Sequence, residues 1–470
     1  MLPGDKLIKK PRVRDLSPTT FEVLERRVSS RAFSSPVIIV FVFVILAMLG
    51  TILLMTPFAH HGDGLPPLSV AFFTATSAVT VTGLVVVDTA SYWTNFGHGV
   101  ILTLIFVGGL GFMTVAAFMV TVLGQRVTIS QRLLIRETIS RDQIGGLQRL
   151  SVSIVLTAVG IQIVVFLFLM GRFLFIYNPQ ESAFQAIAMS ISSFNNAGFI
   201  FFPETQGFAA YQNDFYLLGV LSISIILGTL SYWVVSDIFS KRNFHLYSLV
   251  TKIVMVMTLS LIVIATLFIF ISEGSNPQTI GDLPIVNKLM VSLFEGISGR
   301  TAGITTIDYS NANPVTDVFM TLMMFIGGAT GSVAGGIKVS TFFIIIIAII
   351  AIIREKHHVT AFGRKINDDT VKRSFAIFIV CLSLVFACIF LLAITNSHIL
   401  ARDLVFESFS AFGTVGLSTG ASENLNVLGR IIIAVTMLVG RVGPLIVGLK
   451  MVSVKESVTF KYPSETVTIG

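Results

Sequence analysis

Charge is scarce in this chain of 470 residues: Asp, Glu, Lys and Arg make up 12%, and only 25 residues are acidic. A soluble domain carries about a quarter of its residues charged, so the composition excludes an ordinary soluble fold and points to a membrane. Cysteine is almost absent. Cys381 and Cys388 stand seven apart in one apolar run, a spacing of about 10 Å along a helix and too far for a disulfide. They are expected to be packing residues without redox or metal chemistry. The seven histidines, at 60, 61, 98, 245, 357, 358 and 398, fall in loops or at the ends of apolar runs. No Ser–His pair or histidine metal cluster can be assembled from them, which argues against an intramembrane enzyme. No cleavable leader is expected, because a polar, basic stretch of some 35 residues precedes the first apolar run.

What the chain has in excess is apolar surface: 54% of residues are hydrophobic, and 40 are Phe. Eight runs, near 36–57, 98–123, 151–176, 214–237, 252–272, 316–352, 374–395 and 428–449, are long enough to cross the hydrocarbon core, which takes about 20 helical residues. The 32 Lys and Arg leave a net charge of +7. That surplus does not point to nucleic acid, because 25 of the 32 lie within 1–35, 125–150, 238–252, 353–373 and 450–470, alternating with poorer segments. The bias makes those segments and both termini cytoplasmic.

Four shorter apolar stretches, 68–79, 183–194, 288–299 and 403–412, lie between paired crossings. They are too short to span and have the length of re-entrant half-helices. The order helix, half-helix, turn, helix recurs four times. The expected fold is therefore an all-α polytopic membrane protein: four tandem helix–pore-loop–helix repeats around one central pore, with eight transmembrane helices. The expected divisions are a cytoplasmic segment 1–35, repeats at 36–124, 125–237, 238–352 and 353–449, and a cytoplasmic tail 450–470.

The four turns align on one glycine. They read Thr80-Val81-Thr82-Gly83, Asn195-Asn196-Ala197-Gly198, Arg300-Thr301-Ala302-Gly303 and Gly413-Thr414-Val415-Gly416. The glycines are separated by 115, 105 and 113 residues. Backbone carbonyls arranged in a ring can replace the water of a dehydrating cation, and non-helical backbone is tolerated at membrane depth where it lines a polar cavity. Glycine permits the required backbone without a Cβ in the way. Each half-helix also aims its partially negative C-terminus at the same place. The fourth turn matches the first three letters of the potassium-channel filter Thr-Val-Gly-Tyr-Gly. Leu417 stands where Tyr would follow, so a shorter filter with weaker potassium selectivity is expected. Asp88 and Asp308, five residues beyond Gly83 and Gly303, are candidates for a cation-concentrating outer mouth, or are simple loop and helix caps.

Residues 327–336, Gly-Gly-Ala-Thr-Gly-Ser-Val-Ala-Gly-Gly, put five glycines into the middle of the sixth run. At about 1 kcal/mol each relative to Ala these disfavour a helix by roughly 5 kcal/mol. A loop or loosely held helix is expected, with Gly327, Gly328, Ala329, Thr330, Gly331, Ser332, Gly335 and Gly336 as gate candidates; close helix packing by small residues is the alternative. Cations at membrane depth are functional candidates. Arg441, 25 residues after Gly416, either repels cations below the filter or holds the loop through its carbonyls. Lys338 anchors the loop or reaches cytoplasmic water. Arg300 is expected to pair with Glu295 or Glu407 behind the filter.

These turns, with Val-Gly-Gly-Leu-Gly-Phe-Met at 107–113 and Val-Gly-Arg-Val-Gly-Pro-Leu at 439–445, resemble the Trk/Ktr/HKT superfamily of potassium transporters over nearly the whole chain. Eight crossings without an extra N-terminal pair resemble the bacterial Ktr-type membrane subunit. The resemblance implies potassium as the transported ion, with Gly83 rather than Ser favouring it over sodium, and makes 327–336 an intramembrane gate. It also implies a homodimer in the plasma membrane, one pore per protomer, on a ring of cytosolic nucleotide-binding regulatory subunits. Nucleotide would act only through that partner, with the basic segment Arg354–Arg373 as docking face; topology and lipid headgroup attraction account for most of its charge. Leu227-Gly228-Thr229-Leu230-Ser231-Tyr232 departs from the family's glycine motif. The competing reading is a sodium-coupled or sodium-selective carrier with a broken helix at the midplane.

Overall fold

A computed structural model describes residues 37–111, 147–202 and 207–453. The expected N-terminal segment, most of the basic loop 125–150 and the tail beyond 453 lie outside them. All described residues belong to one compact unit, Pro36–Gly470.

The described residues are mostly helical. The first repeat holds α1 (Val37–Leu54), the half-helix α2 (Leu68–Thr80), a single turn α3 (Thr89–Tyr92) and α4 (Asn95–Gly109). The second holds α5 (Leu147–Phe173), the half-helix α6 (Pro179–Phe194), α7 (Phe215–Thr229) and α8 (Tyr232–Lys241). In the third, α9 (Leu249–Glu273) and the half-helix α10 (Ile285–Thr301) precede α11 (Pro314–Met324) and α12 (Val339–Ile353). The fourth follows a two-residue hairpin, β1 (Thr360–Ala361) and β2 (Arg364–Lys365), and comprises α13 (Asp368–Thr395), the half-helix α14 (Ala401–Gly413) and α15 (Val427–Ser453). Start signals are local: Asn178 accepts from Glu181 N–H ahead of Pro179, and Asp214 and Ser248 cap α7 and α9 in the same way.

Among the described residues four helices are long and apolar enough to cross a membrane, and the bent pair α7–α8 adds a fifth. Their outward faces carry large exposed apolar side chains such as Leu156, Leu259 and Phe390, a surface that suits lipid and not water. The half-helices are the reverse. All of Val291–Thr301 in α10 except the half-buried Leu293, and most of α2, are buried. Each half-helix packs between the helices of its own repeat, and also meets the helix that begins the second crossing of the preceding repeat. Thus α4 meets α6, α7 meets α10, α11 meets α14, and α15 returns to α2. The four repeats close on themselves.

Two crossings are not single helices. The sixth stops at Met324 and resumes at Val339. Between them the chain doubles back: Gly327 N–H donates to Ile337 O (2.8 Å), Ile337 N–H to Phe325 O (3.2 Å) and Val339 N–H to Gly328 O (3.1 Å). A loop, not a slack helix, is what five glycines form. The fourth run, 214–237, is expected as one crossing, and here the structure differs. α7 and α8 meet at 101°, with Leu230 and Ser231 extended between them. The reason lies elsewhere in the chain. The last carbonyls of a helix lack intrahelical partners, and those of Gly228 and Thr229 accept from Val333 and Ala329 of the glycine-rich loop, at 3.3 and 3.1 Å.

Candidate functional site

Each half-helix ends in a turn reversed by positive φ. Val81, Asn196 and Thr414 are left-handed at 57°, 55° and 49°, two residues before Gly83, Gly198 and Gly416 at 87°, 72° and 97°. Such angles suit glycine and strain other residues. In the third repeat the half-helix runs on through Thr301, and only Gly303 (69°) is left-handed. A serine carbonyl pins every turn: Ser77 O accepts from Thr82, Ser192 O from Ala197, Ser298 O from Gly303 and Ser410 O from Val415, at 2.8–3.0 Å.

The turns then meet in a ring. A Cβ built on Gly83 would stand 2.4 Å from Ala197 O; one on Gly198 would stand 2.7 Å from Ala302 O. On Gly303 it would lie 2.0 Å from Val415 O, and on Gly416 2.2 Å from Thr82 O. Each glycine therefore faces the carbonyl just before the glycine of the next turn, and the fourth closes on the first. A side chain at any of the four would push against backbone. The side chains flanking the glycines are engaged as scaffold. Thr80 and Thr82 share a 2.8 Å hydrogen bond, and Asn195 donates to Ile191 O in its own half-helix. Asn196 donates to Thr229 Oγ1 (3.1 Å), which also meets Thr301 Oγ1 (3.3 Å). Val81, Ala302 and Val415 are buried in apolar clusters. Backbone oxygens supply most of the ring's polar atoms, beside the buried Asn195 Oδ1, Asn196 Oδ1 and Thr414 Oγ1, which have no hydrogen-bond partner. Among the described residues no three His, Cys, Asp or Glu side chains converge to hold a metal ion.

The glycines of the second helices serve a common contact. A Cβ on Gly108, Gly228 or Gly440 would lie 1.8–1.9 Å from the carbonyl of Val79, Phe194 or Phe412, in each case the residue four before the turn glycine. Gly228 thus plays its part despite the divergent motif around it. Gly327, its counterpart in the third repeat, faces Gly335 O at 1.9 Å on the same measure, because the helix there has become the loop.

That loop lies directly against the ring. A Cβ on Gly335 would meet Thr414 Oγ1 at 2.1 Å, and one on Gly336 would approach Gly413 Cα. Lys338 Nζ donates to Ala334 O (2.6 Å) within the loop, and Thr330 and Ser340 join their hydroxyls at 3.1 Å. Gly328 packs on Thr229 and Ser332, and Gly331 is left-handed at 81°. Arg441 forks between two elements: Nη1 donates to Val333 O, and Nη2 to Gly108 O at 2.9 Å. A cavity of about 380 Å³, lined by Asn195, Thr330, Ser332, Lys338 and Arg441 among others, borders the loop, and no Asp or Glu among the described residues lines it.

Three expectations need correction or refinement. Among the described residues, Arg300 forms no ion pair with Glu295 or Glu407. It is buried (3% exposed), and its Nε and Nη1 lack hydrogen-bond partners. Those glutamates instead accept from neutral donors in the segments just past the turn glycines. Asp88 and Asp308 are exposed but engaged locally: Asp88 caps α3 through Ser91, and Asp308 accepts from Ser310 and Asn311. Sequence reasoning missed the pinning serines. Ser77, Ser192 and Ser410 all stand six before their glycines, a repeat that the same alignment contains.

A family model described as cation transport protein, TrkH, matches residues 19–460. The Ktr system potassium uptake protein B of Bacillus subtilis is 38% identical over 440 residues, 93% of this chain and 97% of its own. The potassium/sodium uptake protein NtpJ of Enterococcus hirae is 33% identical, covering 95% of this chain and all of its own. A crystal structure of the potassium transporter TrkH from Vibrio parahaemolyticus shares the fold, with a TM-score of 0.69 at 17% identity over 92% of this chain and 86% of that one.

Proposed function

This chain belongs to the TrkH family of cation transport proteins, and from that premise we propose that it takes up potassium through the ring of glycine turns. It is a multi-pass membrane transporter and not an enzyme. The observation that carries the reading is the closed cycle of glycine-to-carbonyl contacts from Gly83 through Gly198 and Gly303 to Gly416 and back. A dehydrated cation there gains carbonyl oxygens from four directions and the partially negative C-termini of four half-helices. The relatives named as potassium uptake proteins support the choice of ion.

The filter comprises Thr80–Gly83, Asn195–Gly198, Thr301–Gly303 and Thr414–Gly416. The loop 327–336 is the gate, held by Lys338 and by the Arg441 fork. Eight crossings place both termini in the cytoplasm. The protein works as a homodimer in a bacterial plasma membrane, and a cytosolic nucleotide-binding ring docks on the basic segment around Arg354–Arg373 to move the gate. The name of the Bacillus relative, a component of a Ktr system, supports a partner.

The test is rubidium uptake into liposomes holding the purified protein, with potassium or sodium as competitor, repeated with Gly416→Ser. Strong competition by potassium alone, eroded in the variant, is the expected result. Equal competition by sodium, or uptake that requires sodium, returns the carrier reading. No flux and no competition would refute the pore.

A further inference from the structure

Two buried glutamates behind the ring take no part in the pathway described so far. Glu295 in α10 and Glu407 in α14 are both fully buried. Burying a carboxyl group is unfavourable unless donors surround it, and the donors here come from one place. Glu295 Oε1 accepts from Thr306 N–H (2.6 Å) and Thr306 Oγ1 (2.9 Å), and Oε2 accepts from Tyr309 Oη (3.1 Å). Thr305 Oγ1 lies 3.1 Å from both oxygens. Glu407 accepts from Ser418 Oγ and from Ser422 Oγ (2.6 Å).

All these donors lie two to six residues past Gly303 and Gly416, in turns and irregular backbone except for Ser422 in the single 3-10 turn Ala421–Asn424. Ile304 O, the first carbonyl past Gly303, accepts from Ser298 Oγ at 2.5 Å. The third turn is thus pinned on its inner side by Ser298 and on its outer side by Glu295. The fourth is pinned by Ser410, whose Oγ accepts from Gly416 N–H at 3.1 Å, and by Glu407. Tyr309 joins the two systems, its ring 5.5 Å from that of Phe406, next to Glu407. The other turns are held differently. Beyond Gly198 the tether is neutral, Gln185 Nε2 to Phe201 O at 2.8 Å. Beyond Gly83 no side-chain hydrogen bond among the described residues reaches 84–87, and the tether is the contact of His98 Nε2 with Thr89 O at 2.9 Å.

We propose that Glu295 and Glu407 are positioning residues for selectivity. They fix the outer segments of turns three and four, and so hold the carbonyls of Ala302 and Val415 at the spacing that distinguishes potassium from sodium. A ring free to contract would close on the smaller ion. Glutamate suits the role because it accepts several donors at once, where glutamine offers one acceptor oxygen and an amide that must itself donate. The inference rests on the proposed potassium pathway.

The experiment is the same liposome uptake of rubidium, comparing potassium and sodium as competitors, on the wild type, Glu295→Gln, Glu407→Gln and the double variant. The competition ratio does not depend on how much protein folds, so a merely structural role would not move it. The expected result is rubidium flux that persists while the ratio falls about tenfold in the double variant, the equivalent of one buried hydrogen bond to a charged group. Thr306→Val and Ser422→Ala, which remove donors and keep the glutamates, should shift the ratio the same way by less. If the glutamine variants do not fold, these two decide. A wild-type ratio in the folded variants would overturn the proposal and leave the pathway standing. A wild type that shows no preference for potassium would overturn both.

Discussion

Removing the Arg441 side chain should unlock the gate. Its two nitrogens hold the carbonyl of Val333 in the loop and that of Gly108 at the end of α4, so the loop is tied to a helix of the first repeat by one side chain. Hydrogen bonds from a charged donor are each worth about 1.5–3 kcal/mol. Only the bond to Val333 restrains the loop, so Arg441→Ala should weaken the closed state by about 2 kcal/mol, roughly 30-fold in the open-to-closed ratio. Rubidium flux into liposomes, without any cytosolic partner and normalised to folded protein, reads that ratio. Arg441→Lys separates tether from charge. It keeps the cation and loses the planar fork that spans two carbonyls, so its flux should lie between wild type and Ala. If Lys behaves as wild type and Ala alone conducts more, simple repulsion of the ion explains the residue. If Ala conducts no more than wild type, the tether does not restrain the gate and the reasoning fails.

Two further outcomes follow from packing. Gly228→Ala would place a Cβ 1.8 Å from Phe194 O, backbone that cannot yield cheaply, and should lower stability by about 1–3 kcal/mol or more. Gly160→Ala in α5 meets nothing within 4 Å and should raise it by up to about 1 kcal/mol; thermal unfolding in detergent compares the pair. Arg300→Met should leave stability unchanged or raise it, because Nε and Nη1 of that arginine have no partner. A loss of about 3–5 kcal/mol in the same assay would instead reveal a broken buried ion pair.

Membership in a membrane class, the fourfold repeat and the position of the loop were all legible in the chain. They depend on local properties: the length of an apolar run, the conformational freedom of glycine, and the low helix propensity of five glycines in ten positions. The turn glycines could be aligned before any fold was known. Tertiary structure decided what depends on partners distant in sequence. α7 reads as part of one continuous crossing, and it breaks because carbonyls at 228 and 229 find donors about a hundred residues later, at 333 and 329. Arg300 and Glu295 look like a pair, yet Glu295 takes its donors from the segment beyond Gly303. Hydrogen-bond partners are chosen by proximity in the folded chain. The sequence by itself determined which backbone is able to form a ring and a loop; only the closure of four repeats determined which groups meet there.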